Sequence, residues 1–115
     1  WSPTLDVAAT LIAAATATAI KVSVNGAAFT STADTNLPDL SAVTNADIGT
    51  DASVGTAVLN GRVNWMVLGN GTLSDADAVW FDRIRAGGGV PDLYECPGNA
   101  MGVWDGRNAV MQVRG

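Results

Sequence analysis

The fold of this chain is decided by two adjacent segments, L-N-G-R-V-N-W-M-V-L at residues 59–68 and G-T-L-S-D-A-D-A-V-W-F-D-R-I at residues 71–84. The first is rich in the branched and aromatic side chains that favour a pleated strand, and Asn60-Gly61 supplies a turn where it begins. The second predicts a helix over residues 74–85. Ser74 stands at the N-cap, and Asp77, three residues further on, completes a capping box.

The predicted helix has one apolar face and a clear end. Ala76, Val79, Trp80 and Ile84 recur at helical spacing, so we expect them to form the buried face and assign Trp80 to the core. Three consecutive glycines, at residues 87–89, then end the helix, as positions that need positive φ angles often do.

A β-hairpin is predicted upstream of these segments. Residues 20–24 alternate apolar and polar side chains and are followed by Asn25-Gly26. This pair tolerates the positive φ angles of a type I′ turn and is the strongest short-range signal for a hairpin. We therefore predict a return strand at residues 27–32, with Phe29 facing the core.

The first twenty residues give a less definite signal. Residues 1–12 alternate in the way a strand does. In residues 13–19, however, alanine favours a helix and threonine favours a strand, and no capping residue decides between them. A short helix over residues 7–20 therefore remains an alternative to strands.

The remaining signals complete an all-β pattern. A short strand is predicted at residues 47–49, and a last hairpin at residues 101–113 turns around Asp105-Gly106. Many short strands with such turns and one helix near residues 74–85 predict an antiparallel β-sandwich, formed by the whole chain as a single domain.

Composition excludes several classes of function. The net charge of −5 argues against a nucleic-acid surface, and no apolar run is long enough to span a membrane. Because the chain has no histidine, a Cys/His zinc site and His-dependent nucleophilic catalysis are both excluded. Cys96, the single cysteine, cannot form a disulfide within the chain and has no basic neighbour that would activate it. Since the chain begins at Trp1 rather than Met, we expect it to be part of a longer protein.

The order of four motifs resembles laminin-G-like, concanavalin A-like jelly-roll domains. These motifs are I-K-V-S-V-N-G (20–26), D-I-G-T-D (47–51), N-G-R-V-N (60–64) and L-S-D-A-D (73–77). The resemblance covers roughly residues 19–86 and implies two packed antiparallel sheets that bind glycans or protein surfaces without catalysis. Similar domains occur in bacteriophage tail and capsid-surface proteins. The resemblance therefore implies a structural component at a virion surface or in another extracellular assembly, with other subunits as its partners.

Two departures from this family are apparent. The chain is shorter than such domains usually are. In addition, Trp65 and Val67 stand where family members commonly have charged residues, so the strand at residues 63–68 is apolar on both faces. Either the helix at 74–85 or the C-terminal tail covers the second face, or a neighbouring subunit packs against it.

Four residues are candidates for contact with a glycan or a protein partner: Trp65, Val67, Trp104 and Asp105. Tryptophan stacks on sugar rings, but large aromatic side chains also dominate protein cores. Trp104 is the better candidate for an exposed contact because it lies next to the turn at Asp105-Gly106.

A metal site has only weak support. Asp47 and Asp51, with Asn25 or Asn60, are possible oxygen ligands for Ca²⁺, which some related domains bind. Calcium takes about six to eight oxygen ligands, and no loop of this chain supplies them densely. The simpler interpretation is that these are solvated loop residues. Apart from this weak Ca²⁺ candidate, we predict no cofactor.

An enzyme is the least favoured of three hypotheses. Glycoside hydrolases of the related superfamily typically have two glutamates close together on one strand, whereas Glu95 is the only glutamate here. We therefore expect a non-catalytic binding or assembly module. A free-standing glycan-binding lectin domain is the alternative, and a glucanase-type hydrolase is less favoured than either.

Overall fold

The computed structural model describes residues 7–36 and 61–115, which form two antiparallel three-stranded sheets and one helix. The elements are β1 (Leu11–Ala15), β2 (Ala19–Val24), β3 (Thr30–Ala33), β4 (Trp65–Gly69), helix α1 (Asp75–Ala86), β5 (Ala100–Asp105) and β6 (Val110–Val113). The sheet orders are β1-β2-β3 and β4-β5-β6. The prediction of a mostly β, antiparallel fold with one short helix is confirmed, and the arrangement is compatible with a β-sandwich. The strand predicted at 47–49 lies outside the described residues.

The N-terminal segment adopts the strand alternative, and the helix considered for residues 7–20 does not form. β1 begins at Leu11 and pairs with β2, so residues 7–10 precede the sheet. Thr16 makes the turn between the two strands. Its N–H donates to the Ala19 carbonyl at 2.8 Å, and its Oγ1 accepts the Ala19 N–H at 3.1 Å. The threonine hydroxyl competes with helical hydrogen bonding here and decides the local conformation.

The predicted Asn25-Gly26 hairpin is confirmed. Both residues have positive φ angles, 52° and 74°, and the Val24 carbonyl accepts the Ala27 N–H across the turn at 3.1 Å. Asn25 also ties the turn to the chain before β1. Its N–H donates to the Thr10 carbonyl, and its Oδ1 accepts the Thr10 N–H at 2.9 Å.

The return strand of this hairpin starts later than predicted, at Thr30 rather than at residue 27. Val22 pairs with Thr30, one residue further along than a plain two-residue turn would place the partner. The Ala27 carbonyl is satisfied by the buried Ser23 hydroxyl, which donates to it at 2.7 Å. This side-chain bond replaces ladder pairing just after the turn.

Helix α1 begins and ends as predicted. The Ser74 hydroxyl accepts the Asp77 N–H at 3.2 Å, and the Asp77 carboxylate accepts the Ser74 N–H at 2.7 Å, which completes the capping box. Gly87 is the C-cap, and Gly88 follows it with a φ of 74°. Asp82 and Arg85 form an ion pair at 2.9 Å on the helix surface.

The buried face of α1 differs from the prediction. Ala78 and Phe81 are buried, whereas Ala76 and Val79 are exposed and the other two predicted residues are half-buried. Phe81 sets this orientation because its ring stacks on Trp65 of β4 at 6.3 Å between centroids and meets the edge of Trp80 at 5.0 Å. Aromatic packing therefore turns Phe81, which was not among the predicted buried residues, towards the core in place of Val79.

The segment between α1 and β5 is a loop, as predicted, yet it supplies much of the core. The buried cluster consists of Phe81, Leu93, Cys96, Ala100 and Val103. The Asp92 carbonyl accepts the N–H groups of Glu95 and Cys96, which folds the loop into a turn and directs its apolar side chains inward.

Loss of the N-cap hydroxyl should destabilise the fold measurably. We expect Ser74→Ala to lower the free energy of unfolding by about 1 kcal/mol, because two N–H groups at the helix start then lose their partners or their geometry. Ser74→Asp is the matched control, since aspartate caps equally well and should keep the urea midpoint near that of the parent chain. Equal midpoints for Ala and Asp at this position would contradict the role of the cap.

Gly26 and Gly88 have the same φ angle but different surroundings. Alanine substitutions at these two positions therefore measure the contact between the hairpin turn and the helix. A Cβ on Gly26 would lie 3.0 Å from the Asp82 Cβ, whereas a Cβ on Gly88 would have nothing within 4 Å. Gly88→Ala should cost only the left-handed strain of about 1 to 2 kcal/mol. Gly26→Ala should cost more than Gly88→Ala in thermal or urea unfolding, and equal losses would show that the turn does not press against α1.

Candidate functional site: the outer face of the second sheet

The two faces of the β4-β5-β6 sheet have different surroundings. Trp65 and Val67 point towards α1 and pack against the buried cluster. Their partners across the strand pair are Asp105 and Val103 of β5. The helix and the core cluster therefore cover the face that carries Trp65 and Val67, so the intramolecular explanation holds for this face of the strand only.

The opposite face of this sheet is apolar and exposed. We call it the outer face and define it by five side chains: Met66, Leu68, Trp104, Met111 and Val113. Cross-strand pairing aligns Met66, Trp104 and Met111 in one row, and Leu68, Gly102 and Val113 in the next. Exposed fractions are 54% for Leu68, 48% for Met111 and 66% for Val113.

A shallow groove of about 340 Å³ opens on this face, lined by Val63, Met66, Trp104 and Met111. Gly106 allows Trp104 to lie where it does. A Cβ at this position would fall 2.6 Å from the indole ring and 2.2 Å from the Val63 carbonyl oxygen. The turn after β5 is thus built around the indole, which holds one wall of the groove in place.

The outer face includes only one of the four residues proposed for contact from sequence. Trp104 is half-buried at the groove, while Trp65, Val67 and Asp105 belong to the helix side of the sheet. The sequence analysis missed Met66, Leu68, Met111 and Val113. The two-residue alternation of a strand was the signal that groups them with Trp104.

Asp105 organises the turn between β5 and β6. Its Oδ1 accepts the Arg107 N–H at 2.9 Å, and its Oδ2 accepts the Asn108 side-chain amide at 2.9 Å. The Asn108 side-chain hydrogen bond is the main cause that lowers the pKa of Asp105 below its ordinary value, followed by the Arg107 backbone N–H. Its oxygens therefore already have partners within the turn.

A second cavity of about 440 Å³ lies on the helix side of β6, between the loop at residues 90–92 and the strand. Two carboxylates, Asp92 and Asp105, line it with otherwise largely apolar walls. The Asp92 carboxylate accepts the Tyr94 N–H at 2.9 Å, so this acid too is part of a turn. The cavity brings two acids near each other, but both have structural hydrogen bonds.

The structure adds little to the calcium hypothesis. Asp47, Asp51 and Asn60 lie outside the described residues. Asn25 lies within them, and its Oδ1 is engaged by the Thr10 N–H. Over residues 7–36 and 61–115, no group of three or more acidic, cysteine or histidine side chains is placed to hold a metal ion.

Cys96 is a buried free thiol in the core cluster. Burial raises the pKa of this thiol from 9.0 to about 11, helped by the negative charges of Asp92 and Glu95 and opposed by Arg114. Because the thiolate is the nucleophilic form, this environment suppresses reactivity.

Comparison of the chain with models of protein families, with curated proteins and with solved structures finds no match. Within the described part of the chain, no helix is both long and apolar enough to cross a membrane.

The environment of Cys96 predicts slow alkylation. At pH 8 the folded chain should react with iodoacetamide about 100-fold more slowly than the urea-unfolded chain, because a pKa of about 11 in place of 9.0 lowers the thiolate fraction by that factor. A Cys96→Ala, Ser31→Cys variant, with its thiol on exposed β3, should react at nearly the unfolded rate. Fast labelling of folded Cys96 at pH 8 would contradict its burial.

Proposed function

We propose that this chain is a non-catalytic binding or assembly module and that the outer face is its contact surface. The observation that carries the proposal is the pair of aligned apolar rows, in which Leu68, Met111 and Val113 remain largely exposed. No outer-face residue is charged. Contiguous apolar patches of this kind mark interaction sites, and depletion of charge is typical of the centre of an interface.

For the fold, we propose a laminin-G-like, concanavalin A-like jelly roll within a larger structural protein, a phage tail or capsid-surface component, at a virion surface or outside the cell. Two antiparallel sheets, the Asn25-Gly26 hairpin and the capped helix at 75–86 support the proposal and follow the order of motifs in that family. The partners are then other chains of the assembly.

A glycan-binding lectin domain is the second candidate, and one observation favours it. Trp104 lines an open groove together with Met66 and Met111, and a sugar ring can stack its C–H face on an indole. Such a function would use the same face as the assembly proposal, with a saccharide in place of a protein surface.

The proposal of a non-catalytic module has its own structural support. A glycoside hydrolase needs two carboxyl groups facing a substrate cleft, one to donate a proton and one to act as base or nucleophile. The two described carboxylates that share a cavity, Asp92 and Asp105, each accept backbone N–H groups of their own turns. Those bonds engage both carboxylates in their own turns. The hydrogen bonds to Asp105 also lower its pKa, which makes that acid a poor proton donor.

A pair of leucine variants tests whether the outer face mediates contact. Leu68 on β4 and Leu11 on β1 are 54% and 56% exposed, and each lies on an edge strand of its own sheet. We expect the parent chain to sediment as an oligomer. Leu68→Lys should shift it towards the monomer because a charge then lies in the apolar contact, while Leu11→Lys should leave the distribution unchanged.

Two outcomes would contradict the assembly function or replace it with the lectin function. A parent chain that sediments as a stable monomer at all concentrations would remove the assembly function. A glycan array then decides the alternative: sugar binding that is lost on Trp104→Ala, measured with and without Ca²⁺, would establish the lectin function instead.

A further inference from the structure

Among the strands of residues 7–36 and 61–115, β6 lies at the edge of its sheet, and its outward backbone groups can be identified. The Arg114 N–H donates to the Met101 carbonyl at 2.9 Å, so residues 101 and 114 form a hydrogen-bonded pair of the antiparallel ladder. Such pairs alternate along a ladder, and Gln112 and Val110 therefore also bond to β5. The N–H and C=O groups of Met111 and Val113 consequently point away from β5, at the open side of the sheet.

This edge lacks the features by which proteins discourage strand pairing. All four residues of β6, V-M-Q-V, are exposed, and none is charged or proline. Its pairing with β5 runs without a register shift, whereas the ladder at the other edge of the sheet is interrupted between Leu68 and Gly69. Proline, charges and bulges are the usual protections of an edge strand, so β6 is the edge best suited to accept another strand.

We propose that β6 pairs antiparallel with β6 of a second copy of this chain, joining two three-stranded sheets into one. This inference rests on the proposed assembly function. It names a second copy of the chain as a partner and adds a contact along the sheet edge to the one on the outer face. Ala109 has a φ of 53° and is not extended, so the paired residues must lie between 110 and 114. The register that satisfies this limit places Met111 opposite Val113 of the partner copy and centres the two-fold axis on Gln112.

The self-pairing register is chemically complementary. On the outer face, Met111 meets an apolar side chain, and the rows of the two copies form one continuous apolar surface. On the helix side, the Gln112 amide faces the same amide of the partner copy, and the two can hydrogen-bond.

Charge placement also favours a second copy as the occupant. In this register Val110 lies opposite Arg114 of the partner copy, and Asp105 is the neighbour of Val110 on β5. Asp105 of one copy and Arg114 of the other then lie in the same cross-strand row, two strands apart, with about 10 Å between their Cα atoms. Neither Arg114 meets a like charge across the new ladder.

Charge swaps at the two-fold axis test this register directly. Gln112 is exposed and has no place in the core, so Gln112→Glu and Gln112→Lys should both fold. Each variant alone should raise the dimer dissociation constant by about tenfold or more in sedimentation equilibrium, because like charges then face each other. An equimolar mixture of the two should regain dimer, since opposite charges face each other in the heterodimer. Ser31→Glu and Ser31→Lys on the exposed edge strand β3 are the matched controls and should leave association unchanged.

The outcomes separate this inference from the proposed function. If the chain associates and Leu68→Lys weakens association, but the Gln112 variants and their mixture behave like the parent, the function stands and the β6 pairing is overturned. If the chain is monomeric, both are overturned.

Hydrogen exchange gives a second readout: the amides of Met111 and Val113 should become protected as the concentration rises through the dissociation constant. Protection already present in the monomer would mean that the chain covers this edge itself, which also overturns the inference.

Discussion

The packing of Phe81 is the contact on which both sheets depend. Its ring stacks on Trp65 of β4, and the cluster around it takes in Leu93 and Val103 as well as Ile12 from β1. The small core that contains Phe81 thus contacts both sheets and the helix. Because few large side chains are fully buried in residues 7–36 and 61–115, each contact of this ring carries a large share of the hydrophobic stabilisation. Caps and turns then matter more than they would in a larger core.

Polar contacts fix how the helix sits against the first sheet. The Phe29 N–H donates to the Asp75 carboxylate at 2.8 Å, which links the return side of the hairpin to the first turn of α1. Two turns further along the helix, Asp82 lies against Gly26. The hairpin turn and the helix therefore meet at two places, one held by a hydrogen bond and one permitted by a missing Cβ. These tertiary contacts hold the helix against the hairpin in the orientation that the packing of Phe81 on Trp65 sets.

The hairpin turn and the helix cap could be predicted from the sequence, whereas strand bounds and tertiary contacts could be predicted only in part. The Asn25-Gly26 turn and the Ser74–Asp77 capping box follow from the conformational preferences of neighbouring residues, which a sequence displays directly. The burial of Leu93 and Cys96 within a loop depends on where β5 and α1 meet, and no periodicity encodes it. The site was predicted only in part for the same reason. Strand alternation separates Trp65 from Met66, but which of the two sides is left open depends on where the helix packs.

The position of β5 has a consequence for how the chain is made. β1, β2 and β3 follow one another and pair in that order, so the first sheet can form as soon as its residues leave the ribosome. The second sheet cannot, because its central strand is encoded thirty residues after β4, beyond the helix and its loop. A nascent chain that has emerged only as far as residue 99 presents Trp65, Val67 and Leu68 without their partner strand. Translation of this chain therefore includes an interval in which an apolar strand is exposed to chaperones, and that interval ends only when β5 and β6 have been synthesised.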